Sequence, residues 1–168
     1  MQNVFSETLV AHPLRLTLFW NGDKLKRILL RWHESPYEPG EQLPGAGLCG
    51  SEHFQCIQDC LQHYVAGERV RWPELQFDTD DMSAFSAHVL ETLRKEVGWG
   101  RTISYGELAA LCGKPGAARS IGRAMAFNPW PLLVPCHRVI GAKGDLTGFS
   151  GSGLDMKEFL LKTEGSLV

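Results

Sequence analysis

No stretch of this chain stays apolar for the roughly 18 residues a bilayer-spanning helix needs, so a membrane protein is not expected. The first residues, Met1-Gln2-Asn3-Val4-Phe5-Ser6-Glu7, lack a basic segment and a following apolar core, which argues against a signal peptide. A disulfide framework is missing as well. The five cysteines are an odd number at irregular spacing and fit a reducing compartment in which at least one thiol has a function. Acidic side chains are scarce in one segment: between Arg101 and Lys143, six basic residues (Arg101, Lys114, Arg119, Arg123, Arg138, Lys143) face one acid, Glu107, a balance of +5. The rest of the chain carries 11 basic and 18 acidic residues, a balance of -7. A positive segment on a negative protein is the footprint of a nucleic-acid face, although chance clustering gives the same count.

What remains is 168 residues, 43% hydrophobic and 21% charged, a globular composition with room for one ordinary domain or two small ones. Residues 1–80 form the first expected unit. Leu14-Arg15-Leu16-Thr17-Leu18-Phe19-Trp20 alternates in part, Asn21-Gly22 signals a hairpin turn, and Ile28-Leu29-Leu30-Arg31-Trp32 follows as a second strand. Residues 35–50 are rich in Pro and Gly and read as a loop. Phe54, Ile57, Leu61 and Tyr64 then fall at helical spacing up to Gly67, and Trp72-Pro73-Glu74-Leu75-Gln76-Phe77 is a weak strand candidate.

Residues 81–168 form a second, mainly helical unit. Ser83 can cap a helix with apolar face Phe85, Val89, Leu93 and Val97, and Ser104-Tyr105-Gly106-Glu107 has capping-box spacing for a short helix carrying Leu108 and Leu111. Gly113 ends it, and a helix over residues 117–126 follows, stopped by Asn128-Pro129. Leu154 to Glu164 closes the chain, with Gly165 in the C-terminal capping position.

Two short helices joined by a Gly-containing turn make a helix-turn-helix, which commonly sets its second helix in a DNA groove. Here that helix begins with Gly116, Ala117, Ala118, Ser120 and Gly122, around one long side chain, Arg119. Such a surface has little with which to read base edges and allows close backbone approach, including to the narrower minor groove. It predicts double-stranded DNA as partner with little sequence preference. An Ala/Gly helix packed in a core accounts for the same residues, so this segment alone leaves both readings open.

The segment richest in chemistry is Pro135-Cys136-His137-Arg138, which ends the run Leu132-Leu133-Val134. A cysteine is a strong nucleophile only as thiolate, and neighbouring basic groups favour that form. A buried structural cysteine is the plain alternative for a lone Cys-His pair. Set behind a sequence-indifferent DNA helix, however, a reactive thiol implies chemistry on a base. The base must leave the stack to be reached, and Arg119 is suited to fill the vacated space. The simplest reaction of a thiolate with a damaged base is displacement at an alkyl carbon.

The run from Ile103-Ser104-Tyr105 through Ala117-Ala118-Arg119, Asn128-Pro129, Pro135-Cys136-His137-Arg138-Val139 and Lys157-Glu158-Phe159-Leu160-Leu161 resembles the O6-alkylguanine-DNA alkyltransferases. The likeness is dense over residues 83–165; the N-terminal half is similar only in outline. It implies an α/β N-terminal domain, a small antiparallel sheet with a helix that is ribonuclease-H-like in outline. It also implies a mainly α C-terminal domain whose helix-turn-helix is winged-helix-like. The implied activity is single-turnover transfer of an alkyl group from O6 of guanine, and secondarily O4 of thymine, to Cys136. His137 would take the thiol proton through a water, Glu164 would orient His137, Tyr105 would donate a proton toward the departing guanine, and Asn128 would tie the recognition helix to the Pro135-Cys136 turn. Ala117, Ala118, Arg119, Ser120, Gly122, Arg123, Ser104 and Tyr105 would meet DNA; Val139, Ser150, Phe149, Met125 and Lys157 would line or support the pocket.

The likeness implies no cofactor, and a monomer in the cytoplasm of a bacterial-type cell or the nucleus of a eukaryote. The chain departs from the pattern in three places: an extra residue within Gly151-Ser152-Gly153, Phe149 in place of a common tyrosine, and Arg123 in place of a small residue. Zinc-binding members place ligand cysteines near the N-terminus, but residues 1–48 here contain none. His53, Cys56, Cys60 and His63 share one helical stripe; one helix wraps a tetrahedral ion poorly, so a partly buried helix face is expected and no metal. Two rival classes stay open: a lesion-binding protein that flips bases without repairing them, and a Cys-His hydrolase.

Overall fold

The hairpin turning at Asn21-Gly22 forms, and a strand with no clear sequence signal extends it to a meander. The structure, a computed structural model, describes residues 4–39, 41, 50–149 and 152–167. Strands β1 (Val4–Ala11), β2 (Leu14–Asn21) and β3 (Lys24–Trp32) pair antiparallel, with Leu9, Leu16 and Leu30 in register across the sheet. Leu14, Leu16, Leu18 and Trp20 alternate onto one face and are fully buried there. Glu7 lies opposite Leu18, hence on that same apolar face. Its carboxylate accepts from Trp20 Nε1 at 2.8 Å and from Ser51 N at 2.8 Å, which makes the burial tolerable.

The opposite face holds Arg15, also fully buried. Its guanidinium donates to the carbonyls of His33, Ser35 and Pro36 at 3.0, 2.7 and 3.2 Å and lies 3.9 Å over the Tyr37 ring. Helix α1 (Phe54–Val65) packs against β1 with Ile57, Leu61 and Tyr64 buried, and its Gln58 amide bonds both backbone groups of Val10. The strand expected over Trp72–Phe77 shortens to β4 (Gln76–Phe77), parallel to β3, giving the order β1-β2-β3-β4. Pro73 cannot donate to a ladder, which is consistent with the late start.

The chain divides into two compact units, Met1–Thr79 and Asp80–Val168. In the second, α2 (Ala84–Glu96) is capped by Ser83, which accepts from Ser86 N, and buries Val89, Leu90 and Leu93. Phe85, expected on that face, is only half-buried. The short strand β5 (Ile103–Ser104) leads into α3 (Tyr105–Leu111) through a complete capping box: Ser104 Oγ accepts from Glu107 N, and Glu107 accepts from Ser104 N at 2.8 Å. Leu111, expected inward, is half exposed. Gly113, at φ 73°, ends α3 by letting its own N–H and that of Lys114 reach back to Ala110 and Ala109. Helix α4 (Ala118–Ala126) follows, packed on α2 and α3 through Ile121, Ala124 and Met125.

The next segment has no periodicity, yet residues 130–139 are all buried. It ends in one 3-10 turn, Cys136–Arg138, and in β6 (Val139–Ile140), whose Val139 and Ile140 pair in parallel with Ile103 and Ser104. This pairing, which the sequence analysis did not anticipate, sets the Cys136 turn beside the start of the helix-turn-helix. Helix α5 (Leu154–Thr163) closes the unit against that turn. Gly165, at φ 72°, caps it and leaves Glu164 as its last, inward-facing residue. Among the described residues no helix is long and apolar enough to cross a membrane.

Candidate active site

The backbone before Cys136 is held in a costly shape. Leu132 has φ 77°, the one positive value at a described non-glycine residue, a conformation that costs about 1–3 kcal/mol. Three features fix it: Val134 N donates to Trp130 O at 2.8 Å, Asn128 Oδ1 accepts from Trp130 N at 3.0 Å, and Asn128 Nδ2 donates to Val134 O at 3.1 Å. Asn128 therefore makes a local turn and also binds the chain directly ahead of Pro135. Cys136 follows, 4% exposed, with its N–H on Val134 O.

His137 is fully buried, and its Nε2 lies 2.7 Å from Glu164 Oε1. Nδ1 finds no hydrogen-bond partner among the described residues. Burial holds the imidazole pKa below its ordinary value, against the upward pull of Glu164. The neutral ring thus donates from Nε2 to the carboxylate and keeps an acceptor lone pair at Nδ1. Burial by itself raises the pKa of Glu164, but the hydrogen bonds and charges of His137 and Arg138 outweigh it and hold the carboxyl down at about 2. Glu164, just past the end of α5, is 4% exposed.

Arg138 explains how an anion survives at a helix C-terminus, where the dipole disfavours it. Its Nε and Nη2 donate to Glu164 Oε2 and Oε1 at 2.8 and 3.0 Å, and Nη1 donates to Val97 O, just past α2, at 2.6 Å. Arg138 is one of the six basic residues of the positive segment and was expected on an exposed face. In the structure it is 9% exposed and its charge is matched, so the outward positive charge of the segment is smaller than the count.

Lys157 sits on the buried face of α5. Its ammonium donates to Val139 O and Thr147 O at 2.7 Å and to Gly148 O at 3.4 Å, joining β6 to the following loop. Burial lowers its pKa to about 8, while the charges of Cys136 and Asp145 pull it back up.

Tyr105 opens α3, half-buried, and its hydroxyl accepts from Thr147 Oγ1 at 3.0 Å. Gly122 of α4 lies beside the ring: a Cβ there would come within 4.0 Å of Tyr105 Cε1. Arg119, Ser120 and Arg123 are exposed on α4, and Ala117, Ala118 and Gly122 are half-buried. Ser104, expected to face DNA, has its hydroxyl oxygen occupied by the capping box. Val139 and Met125 are buried, Phe149 is half-buried, and Ser150 lies outside the described residues. On α1, His53 stacks on Trp20, His63 bonds Glu68 at 2.7 Å, and burial raises the Cys60 thiol to about 11. Among the described residues no group of three or more His, Cys, Asp or Glu is arranged to hold a metal ion.

Fold and site together define a helix-turn-helix protein with a buried cysteine next to a histidine–glutamate pair. Residues 84–166 match the family model for the DNA-binding domain of 6-O-methylguanine DNA methyltransferase. The chain is 43% identical over 128 residues to a methylated-DNA–protein-cysteine methyltransferase of Methanosarcina acetivorans, covering 74% of this chain and 78% of that protein. It is 40% identical over 135 residues to the Cricetulus griseus protein of the same name, covering 79% of this chain but only 64% of that longer protein. The structure of Mycobacterium tuberculosis OGT in complex with DNA superposes with TM-score 0.74 at 38% identity, covering 96% of this chain and 93% of that one. The chain belongs to the methylated-DNA–protein-cysteine methyltransferase family.

Proposed function

We propose that this protein repairs alkylated DNA by direct reversal, moving the alkyl group of O6-alkylguanine onto Cys136. The observation that carries the reading is the buried relay beside the thiol: His137 is bonded to an ionised Glu164 through Nε2 and keeps Nδ1 for a proton. In this mechanism a water passes the Cys136 proton to His137 Nδ1, and Lys157 adds charge stabilisation to the thiolate. The sulfur attacks the alkyl carbon, an S–C bond forms, and the C–O6 bond breaks. Its electrons go to the guanine, and the Tyr105 hydroxyl protonates the departing base. A thioether is a poor leaving group, so each molecule acts once. O4-alkylthymine is the second substrate in this reading.

The target base rotates out of the duplex, which costs a few kcal/mol of unstacking that Arg119 offsets by entering the gap. The small residues Ala117, Ala118 and Gly122 suit close approach to the minor groove, with Ser120 and Arg123 at its phosphate walls and little preference for sequence. Val139, Met125 and Phe149 complete the pocket. The helical unit is read as winged-helix-like, and the sheet unit as a ribonuclease-H-like support spanning residues 1–80. The protein acts as a monomer without a cofactor, in the cytoplasm or, in a eukaryote, the nucleus. The DNA complex of the mycobacterial relative supports the choice of partner.

Titration of an O6-methylguanine duplex with the protein tests the reading. Restored guanine should rise to one equivalent per protein and stop, and Cys136→Ala should restore none while still binding the duplex. Continued turnover, or unchanged repair by that variant, would overturn it.

A further inference from the structure

Arg119, Arg123 and Phe127 recur every fourth residue along α4 and its last cap, so they share one face of the helix. All three are exposed, and Phe127, at 75%, is the most exposed large apolar side chain among the described residues. The residues behind this face, Ile121, Ala124, Met125 and Asn128, are buried, so the stripe is the helix's outer surface. Neither Arg119 nor Arg123 has an ion-pair partner among the described residues. With a rise of 1.5 Å per residue, the phenyl ring follows Arg119 by about 12 Å and Arg123 by about 6 Å.

A lone exposed phenylalanine needs no explanation. One in line with two uncompensated guanidinium groups does, because that combination matches the two components of a DNA strand, anionic phosphate and apolar sugar. We propose that Phe127 is a DNA contact, packing on the deoxyribose wall of the groove that receives α4, one turn beyond a phosphate bound by Arg123. The inference rests on the DNA-repair reading above and extends the interface past the small-residue part of the helix. It also makes the interface partly apolar, so part of the affinity survives at high salt.

Anisotropy of a labelled, lesion-free duplex over a range of salt concentrations tests it, with transfer from free O6-methylguanine base as a control. Phe127→Ala should weaken duplex binding about three- to tenfold, as expected for one aromatic contact, and leave the salt slope unchanged. Phe127→Leu should retain most of the affinity. Arg123→Ala should lower the slope by about one phosphate contact. Transfer from the free base should be unaffected by Phe127→Ala, since the substitution lies on the outer face. Parental affinity in Phe127→Ala would overturn the proposal while leaving the repair reading intact. So would a sedimentation result in which the variant loses only contact between copies of the chain. If the parent protein fails to bind duplex, both fall together.

Discussion

Glu164 and Arg138 meet side-on, with Nε on Oε2 at 2.8 Å and Nη2 on Oε1 at 3.0 Å, and the same Oε1 lies 2.7 Å from His137 Nε2. One carboxylate at the end of α5 thus orients the histidine beside Cys136 and balances the cation that reaches to the end of α2. Site and fold share this group, and its removal should be felt in both.

Glu164→Ala leaves a buried guanidinium unpaired and should destabilise the protein by about 3–5 kcal/mol, read as a lower urea midpoint. Glu164→Gln keeps one acceptor and should cost less in stability, yet still slow alkyl transfer because a neutral amide cannot favour a protonated His137.

Acid should weaken the fold in two steps. His137 has a folded pKa below its ordinary 6.5, so the unfolded chain binds the extra proton first, and stability falls as pH drops below about 6.5. Glu164 is held at about 2 against an ordinary 4.5, so its contribution is complete above 4.5 and is lost as pH falls toward 2. Urea midpoints measured against pH should show both declines, and Glu164→Gln should flatten the lower one.

Lys157→Met removes the donor to the carbonyls of Val139, Thr147 and Gly148. Val139 is buried, and a buried acceptor left unmet costs about 1–3 kcal/mol, so the urea midpoint should fall below the parent's. Hydrogen exchange at residues 145–149 should rise and transfer should slow.

Tyr105→Phe should lower the transfer rate about 10²-fold or more if the phenol supplies the proton, with duplex affinity nearly unchanged. A rate equal to the parent's would reduce Tyr105 to a packing residue against Gly122.

Where the sequence has local periodicity or capping chemistry, it was legible. Asn21-Gly22 marked the hairpin, and Ser104 with Glu107 marked the start of α3. Features decided by distant partners were not. β1 was missed because Glu7 interrupts its apolar face, and only Trp20 and Ser51, far along the chain, make that acid tolerable. β5 and β6 are two residues each, too short for any alternation, yet their pairing positions the Cys136 turn. Arg138 counted as surface charge, and Lys157 was expected at the pocket with no partner named, because nothing local shows that a cation is buried against a carboxylate or a row of carbonyls.

The most direct test is peptide mass mapping of the protein after reaction with a duplex bearing a single O6-methylguanine. The account predicts that one CH2 unit is added, entirely to the peptide containing Cys136, in step with loss of the lesion. An unmodified Cys136 peptide alongside restored guanine, or the added mass on Cys56, Cys60 or Cys112, would contradict it.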